Sequence, residues 1–290
     1  MEGFKKRAEK HLKRYIAGKN INFKSYCILH DKDAFDHQFV AWQNILAEIE
    51  ARCKSIYDKS GGVKAQFKNM LRSEHISYNL FVPLKHNVDS KSVLNFFKKL
   101  LDRNDLKRIS QFEIEWAPKE AKSALNDKTS FDTYVEFELD NQKKLGVGVE
   151  VKYSEKSYPF TPMEDERLKT QDDSSPYYKL WNSPFSVYKS DTYLTLGKKS
   201  FKQYFRNHLL GLSMIKNGLV NEFISMHLYP AGNIYQKTSA VAYQQTIKME
   251  RQQTFKPITF EQFLAVGSEV FEGSKEMEWL VYLQERYIVK

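Results

Sequence analysis

Two carboxylates and one amine in this sequence can do joint chemistry if the fold brings them together: Asp132, Glu150 and Lys152. Hard carboxylate oxygens with one or two open positions suit Mg²⁺, with Mn²⁺ as the expected substitute. A neighbouring ammonium can offset charge that develops on a reacting phosphorus. In that reading Asp132 and Glu150 bind Mg²⁺ with the backbone carbonyl of Val151, and Lys152 holds or helps deprotonate the attacking water. The outcome would be hydrolysis of a phosphodiester. Against this, a Glu and a Lys two apart on a polar strand face form a common exposed ion pair, worth about 0 to 1 kcal/mol. Three other acid-x-Lys triplets occur, Asp89 to Lys91, Asp105 to Lys107 and Glu120 to Lys122. They fall at a helix start, at a helix end and in a loop after Pro118, so only the strand context separates Glu150 from them.

That context is a hairpin. Between Phe131 and Leu139 the apolar residues Phe131, Val135, Phe137 and Leu139 are odd-numbered, and the polar Asp132, Glu136 and Glu138 even. Between Gly146 and Tyr153 the odd positions are again apolar (Val147, Val149, Val151), while the even ones are Gly146, Gly148, Glu150 and Lys152. Both strands are expected to bury odd and expose even. Directly opposed residues in an antiparallel pair share a face, so paired numbers must sum to an even value and the loop must be odd. A three-residue loop, Asp140 to Gln142, sets Asp132 opposite Glu150; a five-residue loop sets it opposite Lys152. Gly146 and Gly148 are expected to leave that face bare for a large ligand.

Around the hairpin the pattern predicts helices over 4–17, 35–57 (Phe39, Trp42, Ile45, Leu46 and Ile49 at helical spacing), 64–82 ending before Pro83, and one capped by Ser90. A period-two strand follows over 109–116, with Gln111, Glu113 and Glu115 against Phe112, Ile114 and Trp116. Residues 159–184 read as a long polar loop. A helix over 200–216 with the stripe Phe201, Tyr204, Phe205, Leu209, Leu212 and Ile215 precedes a buried strand, Glu222 to Tyr229. The tail reads as helical, with Thr259 and Gln262 in capping-box spacing and a last helix near 275–288.

Composition bounds the reading. The 41% apolar and 14% aromatic residues can build a substantial core. A net charge of +9 favours a polyanionic partner and is equally compatible with plain solubility. Cys27 and Cys53 have no metal-binding or redox spacing. No apolar run suits a membrane span and the basic start lacks a secretory core, so a cytoplasmic location is expected.

Ser130, Phe131 and Asp132, followed by Val149, Glu150, Val151, Lys152 and Tyr153, resemble the PD-(D/E)XK nuclease superfamily, with Phe131 where its motif has Pro. The stretches 71–84, 113–118 and 150–155 are also similar to a bacterial group described as restriction endonucleases. The resemblance implies an α/β, restriction-endonuclease-like αβββαβ core over about 65–230, with a mixed central sheet flanked by helices. Helical extensions over 1–60 and 240–290 would complete a single domain. It implies a metal-dependent DNA endonuclease of restriction or repair type, with double-stranded DNA favoured as partner and a homodimer admissible. The alternative is a non-catalytic nucleic-acid-binding protein that kept the fold. Glu74 would add a metal-side acid from the preceding helix, against a bland reading as a surface acid. Glu113 or Glu115 could reach the metal or simply solubilise an edge strand. Gln203 and Arg206 fall off the apolar stripe of their helix, where they could contact phosphate, whereas His208 reads better as a satisfied helix histidine. Lys5, Lys6, Arg7, Lys10, Lys13 and Arg14 suit either a DNA backbone or a solvated helix face.

Overall fold

A computed structural model of the chain describes residues 3–19, 58–120 and 129–289 continuously, with residues 21, 23–24, 27–31, 34 and 125 between them. The helix expected over 35–57 and Cys53 lie outside the described residues. Helix α1, Phe4–Ala17, buries Ala8, Leu12 and Ile16, the i, i+4, i+8 stripe that its sequence spells. Helix α2, Ile76–His86, runs through Pro83 instead of stopping before it. Proline has no N–H for the carbonyl of Asn79 one turn back, and the Trp279 indole N–H donates to that carbonyl at 2.7 Å instead. Helix α3, Lys91–Leu101, starts at Ser90, whose hydroxyl accepts the Ser92 N–H, and buries Val93, Phe96, Phe97, Leu100 and Leu101.

Five strands stand side by side in chain order: β1 (Leu106–Trp116), β2 (Phe131–Leu139), β3 (Lys144–Val151), β4 (Glu222–Tyr229) and β5 (Phe255–Thr259). The first three are antiparallel neighbours; β4 and β5 continue parallel to β3. Strand β1 does not hold one alternation along its length. Register shifts between Leu106 and Arg108 and between Ile109 and Gln111 flip its parity twice, so Leu106, Ile109, Phe112 and Ile114 all join one core. Strand β5 was not expected in a tail that read as helical; it is short, and Pro257 is tolerated because β5 is an edge.

The stretch 159–184 is not a loop. It holds α4, Pro162–Lys169, opened by a Thr161–Glu164 capping box, and α5, Pro176–Trp181, capped by Ser175. Helix α6, Lys202–Lys216, follows, then α7, Ile234–Gln244. Helix α8, Phe260–Val270, begins at the expected Thr259–Gln262 capping box, and α9, Glu276–Tyr287, is the expected last helix.

The sheet is covered on both faces. Val135, Phe137, Val147 and Val149 pack with α2, α3 and the C-terminal helices. Tyr134, Phe131 and Phe223 pack with α6, which is buried nearly all round and not along one stripe. The even positions of the hairpin are therefore not an exposed face: every residue of β3 after Lys144 is buried. Gly146 and Gly148 are not bare ground for a ligand either. A Cβ at Gly148 would lie 2.4 Å from the Phe131 ring and 2.8 Å from the Phe223 ring, and one at Gly146 would meet Tyr134 at 3.0 Å. Phe131, odd-numbered at the strand's start, lies on the α6 side with Tyr134.

Candidate active site

Leu139 N–H donates to the Lys143 carbonyl at 2.8 Å, and β2 pairs with β3 from Glu138–Lys144 through Thr133–Val149. The loop therefore has three residues, and the ladder ends at Thr133–Val149, one step short of a place where Asp132 would face Glu150. Their closeness is fixed by a backbone bond: the Val151 N–H donates to Asp132 Oδ2 at 2.7 Å. Of the two registers that the alternation allowed, the one that faces acid with acid is realised.

Glu150 is 4% exposed and Lys152 5% exposed, so this is a buried charge pair and not the exposed one that a solvent-facing strand would give. Burying ions is costly unless the remaining lone pairs and protons are satisfied. Glu150 meets that condition, accepting from Lys152 Nζ, from Gln203 Nε2 at 3.0 Å and from Asn207 Nδ2 at 2.7 Å. Burial alone would raise the Glu150 carboxyl; the Lys152 charge and these bonds outweigh it and hold the group below the usual carboxylate range. For Lys152 burial opposes the charge, yet Glu150, Asp132 and Glu155 hold its ammonium well above the usual lysine value. Asp132 goes the other way. Burial first and the Glu150 charge second push its carboxyl well above the ordinary aspartate range, with Glu115 adding in the same sense.

At the rim, the Tyr158 ring has Arg72 5.4 Å from its centre and Lys152 Nζ at 5.7 Å. Glu155 takes the Ser73 N–H at 2.6 Å and the Tyr153 N–H at 3.0 Å, tying the chain after β3 to the turn before α2. Glu74 lies in that turn and not on a helix, and its carboxylate is engaged by Arg72. Gln203 reaches Glu150, as above. The Arg206 guanidinium meets Glu164 at 2.9 Å, beside Lys202 at 2.8 Å, in a buried cluster that ties α4 to α6. Glu113 meets Lys85 at 3.4 Å on the outer strand. His208 is buried among aromatic rings.

Asn207 escaped the sequence reading because it sits on a helix taken to bury only its apolar stripe. Its signal was the i, i+4 spacing from Gln203, which puts two amides on the face turned toward β3.

The donor set fits a divalent cation. A buried acid beside a second acid, with Asp132 held above its ordinary range, is the charge pattern that a cation relieves, and both offer hard oxygens. Among the described residues no group of three or more His, Cys, Asp or Glu is arranged to hold a metal. Neither the curated proteins nor the solved structures include a match to the chain. A family model described as the PD-(D/E)XK nuclease superfamily matches residues 19–289, a span that contains the five strands and every residue of the site. The chain belongs to the PD-(D/E)XK nuclease superfamily.

Proposed function

We propose that the protein is a Mg²⁺-dependent endonuclease that hydrolyses phosphodiester bonds in DNA, with Mn²⁺ able to substitute and double-stranded DNA favoured. The observation that carries this reading is that Asp132, held by the Val151 N–H, stands near enough to Glu150 to feel its charge, with the Lys152 ammonium buried against Glu150. Asp132, Glu150 and the Val151 carbonyl would hold the ion, which when bound supplies Lewis-acid chemistry at the scissile phosphate. Lys152, its ammonium buried beside Glu150, holds or helps deprotonate the attacking water. It offsets charge on the phosphorus as the water oxygen bonds to it and the ester oxygen leaves. Gln203 and Asn207 fix the Glu150 carboxylate from α6, so its oxygens need not reorganise during the reaction.

The test is incubation of plasmid DNA and of RNA with protein and Mg²⁺, with EDTA, Lys152→Ala and Asp132→Asn controls checked for folding by thermal melt. DNA cleavage that requires the ion and both side chains is expected. Cleavage that persists in EDTA or in either variant overturns the mechanism. Absence of any cleavage, with no divalent-ion effect on melting, would favour a nucleic-acid-binding protein without catalysis.

A further inference from the structure

Lys152 is tied less tightly than the acid beside it. One of its donors goes to Glu150, two positions back in the chain, and among the described residues no other oxygen accepts a hydrogen bond from it. A lysine stem is flexible, so a single bond to so near a neighbour leaves the ammonium able to swing with that neighbour.

Its second contact is an aromatic ring. Lys152 Nζ is 5.7 Å from the centre of the Tyr158 ring, within the roughly 6 Å over which a ring face attracts a cation. Arg72 lies 5.4 Å from the same centre, but its guanidinium is taken up by Glu74 and Glu155. Arg72 therefore braces the ring from a tied position, whereas Lys152 gains from the ring a hold that it otherwise lacks.

The ring follows a segment that is neither helix nor strand, residues 153–157, and that segment is pinned from two sides. From the start of α7, Asn233 Nδ2 donates to the Tyr153 carbonyl at 2.8 Å, and Gln236 Nε2 donates to the carbonyls of Glu155 and Lys156 at 2.9 and 2.8 Å. The Tyr235 hydroxyl donates to Ser157 Oγ at 3.0 Å. From the turn before α2, the Leu71 carbonyl accepts the Ser154 hydroxyl at 2.7 Å, and the Ser73 N–H donates to Glu155. Asn233 and Gln236 are buried, so their bonds are sheltered from water. Side-chain bonds thus replace a ladder and fix the backbone up to Ser157, the residue before Tyr158.

A ring suits this place in a way that an oxygen would not. A carboxylate would hold the ammonium by taking one of its N–H groups, and its charge would repel a phosphate. A ring face attracts the charge as a whole and leaves the N–H groups not spent on Glu150 for the attacking water or a phosphate oxygen.

We propose that Tyr158 is a positioning residue whose ring face holds the Lys152 ammonium in place beside Glu150. Its effect on turnover rests on the nuclease reading; its hold on Lys152 does not, and the two are measured separately. In NMR spectra of the full chain without metal, the ring should shift the Lys152 ε-methylene signal upfield, the signal being assigned by its absence from Lys152→Arg. The shift should persist in Tyr158→Phe and vanish in Tyr158→Leu. With plasmid DNA and Mg²⁺, Tyr158→Leu should lower kcat about tenfold with KM within about twofold, and Tyr158→Phe should restore it. Phenylalanines with one, two and three ring fluorines at position 158 keep the shape and drain the negative face, so kcat should fall stepwise. A side chain that only packs would not respond to fluorine. A Lys152 signal that Tyr158→Leu leaves unmoved, a kcat indifferent to Tyr158→Leu or to fluorination, or a Tyr158→Phe as impaired as Tyr158→Leu overturns the proposal. If the unaltered protein cuts nothing, the nuclease reading fails, and the Lys152 signal alone upholds or overturns the hold.

Discussion

Gly148 separates two physical accounts of the hairpin by the sign of a stability change. If the face were bare, Gly148→Ala would remove backbone freedom from the unfolded chain and stabilise by about 0.4–1 kcal/mol, since Gly148 is not among the positive-φ glycines. The structure gives the opposite sign. The added Cβ would stand 2.4 and 2.5 Å from two carbons of the Phe131 ring and 2.8 Å from Phe223, where carbons pack at about 3.5–4.0 Å. Neither ring has an easy escape: their centres are 5.5 Å apart, Phe131 stacks on Tyr134, and Phe223 fills the space beside Gly211. Overpacking of this kind costs about 1–3 kcal/mol. With an unfolding entropy of about 0.6 kcal/mol/K for 290 residues, the melting temperature should fall by about 2–5 °C. Thermal and urea melts measure it, and Phe131→Leu in the same chain should return part of the loss. An unchanged or higher melting temperature, together with lost cleavage, would refute the packing account and restore the glycine to a ligand-facing role.

Four further outcomes are expected. Asp132→Asn should raise the melting temperature at neutral pH without metal. The folded state raises this carboxyl's pKa, so its contribution is favourable below the unfolded value of 3.8 and lost as pH rises through the folded one. Mg²⁺ should then stabilise the unaltered protein and not the variant. Asn207→Ala should lower turnover or metal affinity about 10–100-fold with little change in DNA binding, read by steady-state kinetics and a gel-shift assay. His208 and His227 are both held down at about 3 by burial, against 6.5 in the unfolded chain. Their stabilising contribution is complete above pH 6.5 and lost as pH falls toward 3, about 2 kcal/mol each by pH 5, so urea midpoints should drop over that window. Trp279→Phe should cost about 1–3 kcal/mol by removing the indole N–H that donates to the Asn79 carbonyl, and Pro83→Ala should recover part of it by restoring the helical N–H.

The legible parts of the fold were those set by neighbours in sequence. Parity of Val135 and Phe137 against Val147 and Val149 demanded an odd loop, and Thr259 with Gln262 marked a helix start. What stayed hidden depended on distant partners. Glu150 reads as solvent-facing until α6 is laid over it, and nothing near Glu150 in the chain announces Asn207. Pro83 reads as a stop because its rescuer, Trp279, is far away in sequence. The polar composition of 159–184 hid a buried acid, Glu164, whose cationic partners Lys202 and Arg206 come from the helix that follows. Two extra residues in β1 defeated a single alternation because a bulge changes parity without changing composition.

The seating of Glu150 from α6 has a consequence for the order in which the molecule comes to life. Its amide donors lie 53 and 57 residues further along the chain, and the first tie between β3 and β4, from Lys144 to Asn221, closes a span of 77. Closing such a span costs about 4 kcal/mol of chain entropy before the parallel ladder repays it. A nascent chain that has just passed Lys152 carries both acids and the lysine on a hairpin whose α6 side is still uncovered, with no amide to fix the carboxylate and no low-dielectric cover to strengthen the charges. Late arrival of α6 thus leaves the Glu150 carboxylate without Gln203 and Asn207 until the chain has been made through the helix that carries them.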